Sequence, residues 1–306
     1  MSEQVKSKNF VLPSGITIGH ADDEFTGVTC ILADGAMGGV SVRGGAPGTR
    51  ETDMLRADKS QGHVDAVVLS GGSAYGLEAA CGVMQYLSER GVGFKVGDKV
   101  VPLVAQAILY DLNAEGYHYP DKHMGYAAAK NAGKDNVSFG SVGAGKGATV
   151  GKILGPMGAV KSGIGGATYF FGDVFVTAVV AVNALGDVYD RKTGTILAGA
   201  RTPNGYLNTV DFLTSGKAIE MMKMQPRTNT TIGCVMTNAA LDKAHANRLA
   251  DVAQDGLALS IRPVHTDADG DTLFALSKGD KTIDFNILSV LAVEATAEAI
   301  QNAVRV

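Results

Sequence analysis

Between Ile232 and Met236 the chain reads Ile-Gly-Cys-Val-Met, apolar or small on both alternating faces. A strand built this way has no side to show to water. It therefore predicts a central strand of a sheet covered on both faces rather than a solvated hairpin. The residues before it, Arg227-Thr228-Asn229-Thr230-Thr231, open that strand with hydroxyls and an amide. Thr230 thus stands at a strand entrance, where the backbone is held firmly enough to present a nucleophile. Taken alone, the same residues also fit a plainer reading, since threonine suits a pleated surface and asparagine before a strand is ordinary turn chemistry.

The double-sided pattern recurs. Val174 to Val182 is hydrophobic on both faces and ends in Asn183, an amide that needs partners if the strand is buried. Ala66–Ser70, Ala167–Phe171 and Thr272–Leu276 read as further strands, and Ile16–Ile18, Gly27–Leu32 and Gly39–Val42 as three short ones joined by turns. Three-to-four spacing predicts helices from Leu77 to Leu87, stopped by Gly91, from Asp121 to Ala132, from Leu241 to Leu257, and from about Asp284 to the end. Two-sided strands with one-sided helices imply sheets covered by helices, a layered α/β or α+β arrangement. No internal repeat or clean linker divides residues 1–306, so one unit is expected. Ala198 to Lys223 reads as a more irregular, solvated connection that tolerates a chain break.

Composition narrows the class. With 45% hydrophobic residues in 306 the chain has ample material for a large core. A net charge of −4, with no basic stripe carrying aromatics, argues against nucleic acid as a partner. No run approaches the roughly 18 apolar residues of a membrane span and the first residues lack a signal-peptide core, so a cytoplasmic protein is expected. Cys30, Cys81 and Cys234 fit no zinc or redox spacing and are each expected as buried thiols. Neither a metal nor a cofactor is implied.

Several glycine-rich stretches invite phosphate-binding readings that their spacing does not support. Gly71-Gly72-Ser73-Ala74-Tyr75-Gly76 follows a strand and opens a helix, yet lacks the full dinucleotide fingerprint, and close packing of helix on sheet explains its glycines equally well. In Gly143 to Lys152, Lys146 stands where a Walker loop needs its first glycine, and Ile153 where it needs Ser or Thr. Asp267-Ala268-Asp269-Gly270-Asp271 fails as an EF-hand, because Thr272 and Lys278 occupy the positions of the loop's glycine and glutamate. Asp269 and Asp271, two apart, share a face if extended and can orient a nucleophile or simply solvate a turn. The histidines at 20, 63, 118, 123, 245 and 265 show no ligand pattern and read as solvated or structural.

Taken together, Asn229-Thr230-Thr231-Ile232, Val235-Met236-Thr237-Asn238, His265 to Ala275, Val42-Arg43-Gly44-Gly45 and Leu69 to Glu78 resemble the self-cleaving L-aminopeptidase/D-esterase family, which includes nylon-oligomer hydrolases. The resemblance runs over nearly the whole chain. It implies a four-layer αββα sandwich of two sheets covered by helices. It also implies a precursor that cuts itself between Asn229 and Thr230 into pieces 1–229 and 230–306, and assembly into a homo-oligomer, a tetramer of cleaved units. Thr230 then serves as nucleophile with its own freed amine as base. Lys152 matches the lysine beside it, Asn183 the amide that donates to the oxyanion, and Asp269 and Asp271 the positioning carboxylates. Tyr110 resembles a pocket tyrosine, with Tyr126 as a second candidate.

Threonine at 230 and paired aspartates resemble the nylon-oligomer branch; the better-known aminopeptidase branch carries serine and a Ser-x-Glu element there. The expected activity is hydrolysis of a small peptide or oligoamide. Two other readings stay open on sequence: an acyltransferase of the ornithine acetyltransferase type, and a non-catalytic binding protein that keeps the fold.

Overall fold

The computed structural model describes residues 6–8, 10–112, 117–135, 137–216 and 228–305. Ten strands form one hydrogen-bonded ladder: β1 (Lys6–Lys8), β2 (Thr17–Asp22), β3 (Gly27–Val42), β4 (Thr49–Arg50), β5 (His63–Ser70), β6 (Val104–Ile108), β7 (Ile164–Phe171), β8 (Val174–Asn183), β9 (Thr230–Ala239) and β10 (Thr272–Lys281). Their order is β1-β7-β8-β9-β10-β3-β5-β6-β4, with β2 on the free side of β3. Among the described residues, four helices of nine residues or more cover it: α1 (Ala79–Ser88), α2 (Lys122–Lys130), α3 (Lys243–Ser260) and α4 (Phe285–Asn302).

One strand makes a single ladder out of two layers. Sequence reading expects β3 as two strands broken near Asp34-Gly35, and both residues do take positive φ, 48° and 68°. The chain stays paired through this bulge. Its first half, Gly27 to Leu32, pairs with β2 and β5, while Met37 to Val42 pairs with β10. The bend folds one half of the sheet over the other, as bulges in long strands do.

Alternation along the strands then sorts side chains into three apolar layers. In β8, Val176, Ala178, Val180 and Val182 point to Leu249, Ala253 and Leu257 of α3 and to Leu291, Ala295 and Ala299 of α4. Val179 and Ala181 point the other way. They meet Ile232, Cys234 and Met236 of β9 and Phe274 of β10, and beyond these Ile31, Val67, Leu69, Ala105 and Ala107 of the second half. Val28, Cys30, Ala66 and Val68 on the far face of that half pack on Ala79, Ala80 and Val83 of α1 and Ala128 and Ala129 of α2. The layers run helix, sheet, sheet, helix. The two-sided character of Ile232 to Met236 follows from lying between a helix layer and a second sheet.

The helices end where their chemistry says they should. Asp121, Asp242 and Asp284 each cap a helix, their side chains accepting from Met124, His245 and Asn286 backbone N–H groups. Part of the connection expected to be irregular is ordered: Asn208 caps a short helix over Thr209–Thr214, and buried Asp187 accepts from Ala200 N, Thr209 N and the Thr209 hydroxyl. Residues 217–227, including the rest of that connection and Arg227, lie outside the described residues. Among the described residues no helix is long and apolar enough to cross a membrane.

Candidate active site

β9 and β10 run parallel, joined by the α3 crossover, so both begin at the same end of the sheet. β8 runs antiparallel to β9 and finishes there. Three chain ends therefore converge, bringing together Asn183 at the close of β8, Asn229-Thr230 at the opening of β9 and Asp269-Gly270-Asp271 at the opening of β10. Thr230 and Asn229 are each only 4% exposed, so the peptide bond between them is shielded from water.

The Asn229 carbonyl is the centre of the arrangement. The Thr230 hydroxyl donates to it in a very short contact, and Gly270 N–H donates to it at 3.1 Å. Gly270 has no space for a side chain, since a Cβ there would lie 2.9 Å from Thr230 Oγ1 and 2.8 Å from the Ala46 carbonyl oxygen.

One residue earlier, the Thr228 carbonyl accepts from Lys152 Nζ at 2.9 Å and Asn183 Nδ2 at 3.2 Å. Lys152 also donates to Asn183 O and Oδ1, at 3.0 and 2.6 Å, so three acceptors surround its ammonium. The amide at the end of β8 finds every partner it needs. Its Oδ1 accepts from Thr149 N as well, and its Nδ2 donates to the Tyr110 carbonyl at 2.8 Å. Burial lowers the Lys152 pKa to about 7, against the pull of Asp269 and Asp111, which favour the charged form.

The two aspartates have separate tasks. Asp271 Oδ1 accepts from Thr231 N at 2.7 Å, fixing the residue after the hydroxyl, while its Oδ2 accepts from His265 N and pairs with His265 Nδ1 at 2.9 Å. Asp269 Oδ2 accepts from the Thr266 N–H and hydroxyl, closing the turn that carries Gly270. Burial first, and the neighbouring Asp271 charge second, push Asp269 up to about 6. The glycine-rich loop after β3 clasps this turn from outside: Arg43 N and Gly44 N donate to Asp271 O, and Ala46 N to Asp269 O. A Cβ on Gly44 would lie 2.3 Å from Asp271 N, so only glycine permits that approach.

The structure thus brings Thr230, Asn229, Lys152, Asn183, Asp269 and Asp271 together. Tyr110 joins them through its backbone carbonyl. Tyr126 is elsewhere: its hydroxyl donates to Glu89 at 2.7 Å and its ring packs on Tyr86, on the exposed side of α1 and α2. His265 and Gly270 are contributors that sequence reading did not single out. His265 takes a left-handed φ of 56°, unusual for a residue with a side chain, which is how both its N–H and its ring reach Asp271.

The glycine motifs that hinted at phosphate serve a carboxylate instead. Asp111 accepts from Gly72 N at 2.6 Å and from the Thr26 hydroxyl at 2.8 Å. Cβ atoms on Gly71 and Gly147 would fall 2.2 and 2.4 Å from its Oδ2. Of the cysteines, Cys30 and Cys234 are buried as expected, but Cys81 is only half-buried and faces Arg50, whose Nη1 lies 3.1 Å from its sulfur.

Comparison with known proteins bears on the family and the fold. The sequence model of peptidase family S58 matches residues 14–306. An uncharacterized aminopeptidase of Mycobacterium leprae is 41% identical over 94% of this chain and 79% of its own length. A 6-aminohexanoate-oligomer endohydrolase of Kocuria sp. is 31% identical over 95% of this chain and 84% of its own.

Among solved structures, a Burkholderia sp. beta-aminopeptidase superposes with a TM-score of 0.72 at 20% identity, covering 98% of this chain and 88% of that one. The L-aminopeptidase D-Ala-esterase/amidase of Ochrobactrum anthropi gives 0.71 at 18%, over 99% and 87%; at these identities both establish the fold alone. On the family match and the sequence relatives, this chain is an amide-bond hydrolase that belongs to peptidase family S58, the L-aminopeptidase/D-esterase family.

Proposed function

We propose that the chain is a self-processing N-terminal-nucleophile hydrolase whose nucleophile is Thr230. The observation that carries this reading is the buried Thr230 hydroxyl lying against the carbonyl oxygen of its own preceding residue, Asn229. Attack there closes a five-membered ring. Thr230 Oγ bonds to the Asn229 carbonyl carbon, the carbon–nitrogen bond breaks, and the nitrogen keeps the electron pair and takes the proton given up by the hydroxyl. The product is an ester that water hydrolyses, releasing residues 1–229 with a new carboxylate and residues 230–306 with Thr230 at their head.

The new α-amine, with an ordinary pKa of about 8, then acts as base for its own hydroxyl. A substrate amide is attacked by Thr230, its leaving amine is protonated from the same group, and water resolves the acyl-enzyme. Asn183 Nδ2 and the Lys152 ammonium donate to the oxyanion of this reaction, a role that their present grip on the Thr228 carbonyl supports.

Peptide-like or short oligoamide substrates are proposed, on the strength of relatives named as aminopeptidases and 6-aminohexanoate-oligomer endohydrolases. Assembly of the cleaved units into a tetramer in the cytoplasm belongs to the same proposal. The test is a denaturing gel with intact mass. Wild type resolves into fragments meeting at Asn229/Thr230, and Thr230→Ala remains one chain of 31.6 kDa. Cleavage in Thr230→Ala, or an active wild type that is never cut, overturns the reading.

A further inference from the structure

The precursor carries two sets of hydrogen-bond donors at this site, and they grip different carbonyls. Gly270 N–H is on Asn229 O, the carbonyl of the bond to be cut. Asn183 Nδ2 and Lys152 Nζ are on Thr228 O, one residue upstream. Their spare capacity is small. Lys152 has three acceptors for three protons, and both Nδ2 protons of Asn183 are engaged, by Tyr110 O and Thr228 O.

We infer that the chain uses two different oxyanion sites in succession: the Gly270 N–H for cutting itself, and the Asn183/Lys152 pair for substrate, which the precursor's own Thr228 carbonyl occludes until the cut is made. The inference rests on the self-processing reading above and adds which group stabilises which negative charge.

The geometry gives the first site a simple origin. Asn229 and Asp269 pair as a parallel bridge that keeps the register of the β9–β10 ladder, upstream of its first pair, Ile232 and Thr272. The Gly270 N–H is therefore a ladder donor that happens to land on the scissile carbonyl, fixed in place before any chemistry, as an oxyanion donor must be. When Thr230 Oγ bonds to the Asn229 carbon, the carbonyl π pair moves onto that oxygen and the Gly270 hydrogen bond becomes charge-assisted. When the carbon–nitrogen bond breaks, the pair returns to the carbonyl and the hydroxyl's proton ends on the Thr230 nitrogen. Glycine at 270 is required for the same step, because any Cβ would press on Thr230 Oγ1 and on Ala46 O.

The second site is empty of substrate for as long as Thr228 is joined to Thr230. Once Asn229 ends in a carboxylate, residues 228–229 are no longer held by the strand that follows them. Their departure returns one donor each from Asn183 and Lys152 to the space beside the nucleophile. Self-cleavage thus makes the nucleophile's amine and unmasks the donors that its substrate needs.

The test pairs two variants of the full chain. In one, translation with glycolic acid at position 270 replaces the Gly270 N–H by an ester oxygen; in the other, Asn183→Ala removes the amide donor. The rate of fragment appearance is measured by mass, and kcat is measured on a short peptide amide per cleaved molecule. The ester at 270 is expected to slow maturation on the order of 100-fold, the usual effect of losing one oxyanion donor, and Asn183→Ala to lower kcat by a similar factor. The ratio of maturation rate to kcat then moves in opposite directions in the two variants. Should Asn183→Ala slow maturation more than the ester does, the division of labour is wrong. An ester variant that fails to fold leaves the Asn183→Ala ratio as the deciding measurement. Cleavage of Thr230→Ala would instead refute the underlying reading, whatever these ratios show.

Discussion

Asn183 and Thr230 are opposite members of one rung in the antiparallel ladder between β8 and β9. The last residue of one buried strand thus holds the first residue of the next, and with Lys152 it grips the chain at Thr228 as well. Positioning of the hydroxyl is a property of the sheet, and it follows that changes in the groups tying the sheet's end together should alter chemistry as well as stability.

Asp271→Asn tests this most directly. The substituted side chain keeps one oxygen where Asp271 serves Thr231 N, His265 N and His265 Nδ1. Maturation should slow by about 10- to 100-fold, with about 1–3 kcal/mol of unfolding free energy lost through the unpaired donors. Fragment appearance by mass spectrometry and urea unfolding measure the two separately.

Asp269 gives a pH dependence. Held at about 6 by burial and by Asp271, it keeps its proton well above the ordinary carboxylate range. Self-cleavage that uses the ionised carboxylate should rise as pH passes through about 6 and level off above it. In Asp269→Asn the rise near 6 should vanish, so that a step remaining in the profile belongs to Lys152, which titrates at about 7 or, without the Asp269 charge, lower.

Asp111 has a stability consequence with the opposite sense to ordinary acid denaturation. Burial raises its pKa to about 6 from an ordinary 3.8, so between those values the folded protein binds a proton that the unfolded chain has released. Its contribution to stability is therefore fully present below 3.8 and lost as pH rises through about 6. Asp111→Asn keeps one oxygen for two donors, Gly72 N and the Thr26 hydroxyl, and is weaker throughout. Its deficit relative to wild type should nonetheless narrow as pH rises across that window, as measured by denaturant titration at several pH values.

Arg191 provides a change in stability remote from the chemistry. Its guanidinium, 9% exposed, ties Tyr169 on β7 to Glu294 and Glu298 on α4. Arg191→Met should cost about 2 kcal/mol, less than a fully buried pair because both glutamates retain some solvent. The cut should still fall between Asn229 and Thr230, which intact mass would verify.

Much of this architecture can be read from periodicity. Two-sided strands at Val174–Val182 and Ile232–Met236 imply the layers, and an amide ending one of them implies partners, which Asn183 has. The features that escape the sequence are those made by backbone. Gly270 acts through an N–H that every residue but proline carries, and the Thr228 carbonyl is equally anonymous. Asp34-Gly35 looks like a strand break because positive φ usually ends pairing, yet here the ladder continues past it. Tyr126 shares the residue type expected of a pocket but lies on a helix whose neighbour offers Glu89. Gly71 and Gly147 signal a close approach without saying to what, and the answer is a carboxylate.

The order of strands has one more consequence. β9 and β10 belong to residues 230–306, and they lie between β8 and β3, which belong to residues 1–229. The shorter piece is inserted into the middle of the longer one's sheet, hydrogen-bonded on both flanks and capped by its own two helices. A cut in the backbone after Asn229 would therefore leave the two pieces together: they could dissociate only by tearing the sheet open. A gel-filtration column run without denaturant would not distinguish the nicked molecule from the intact one.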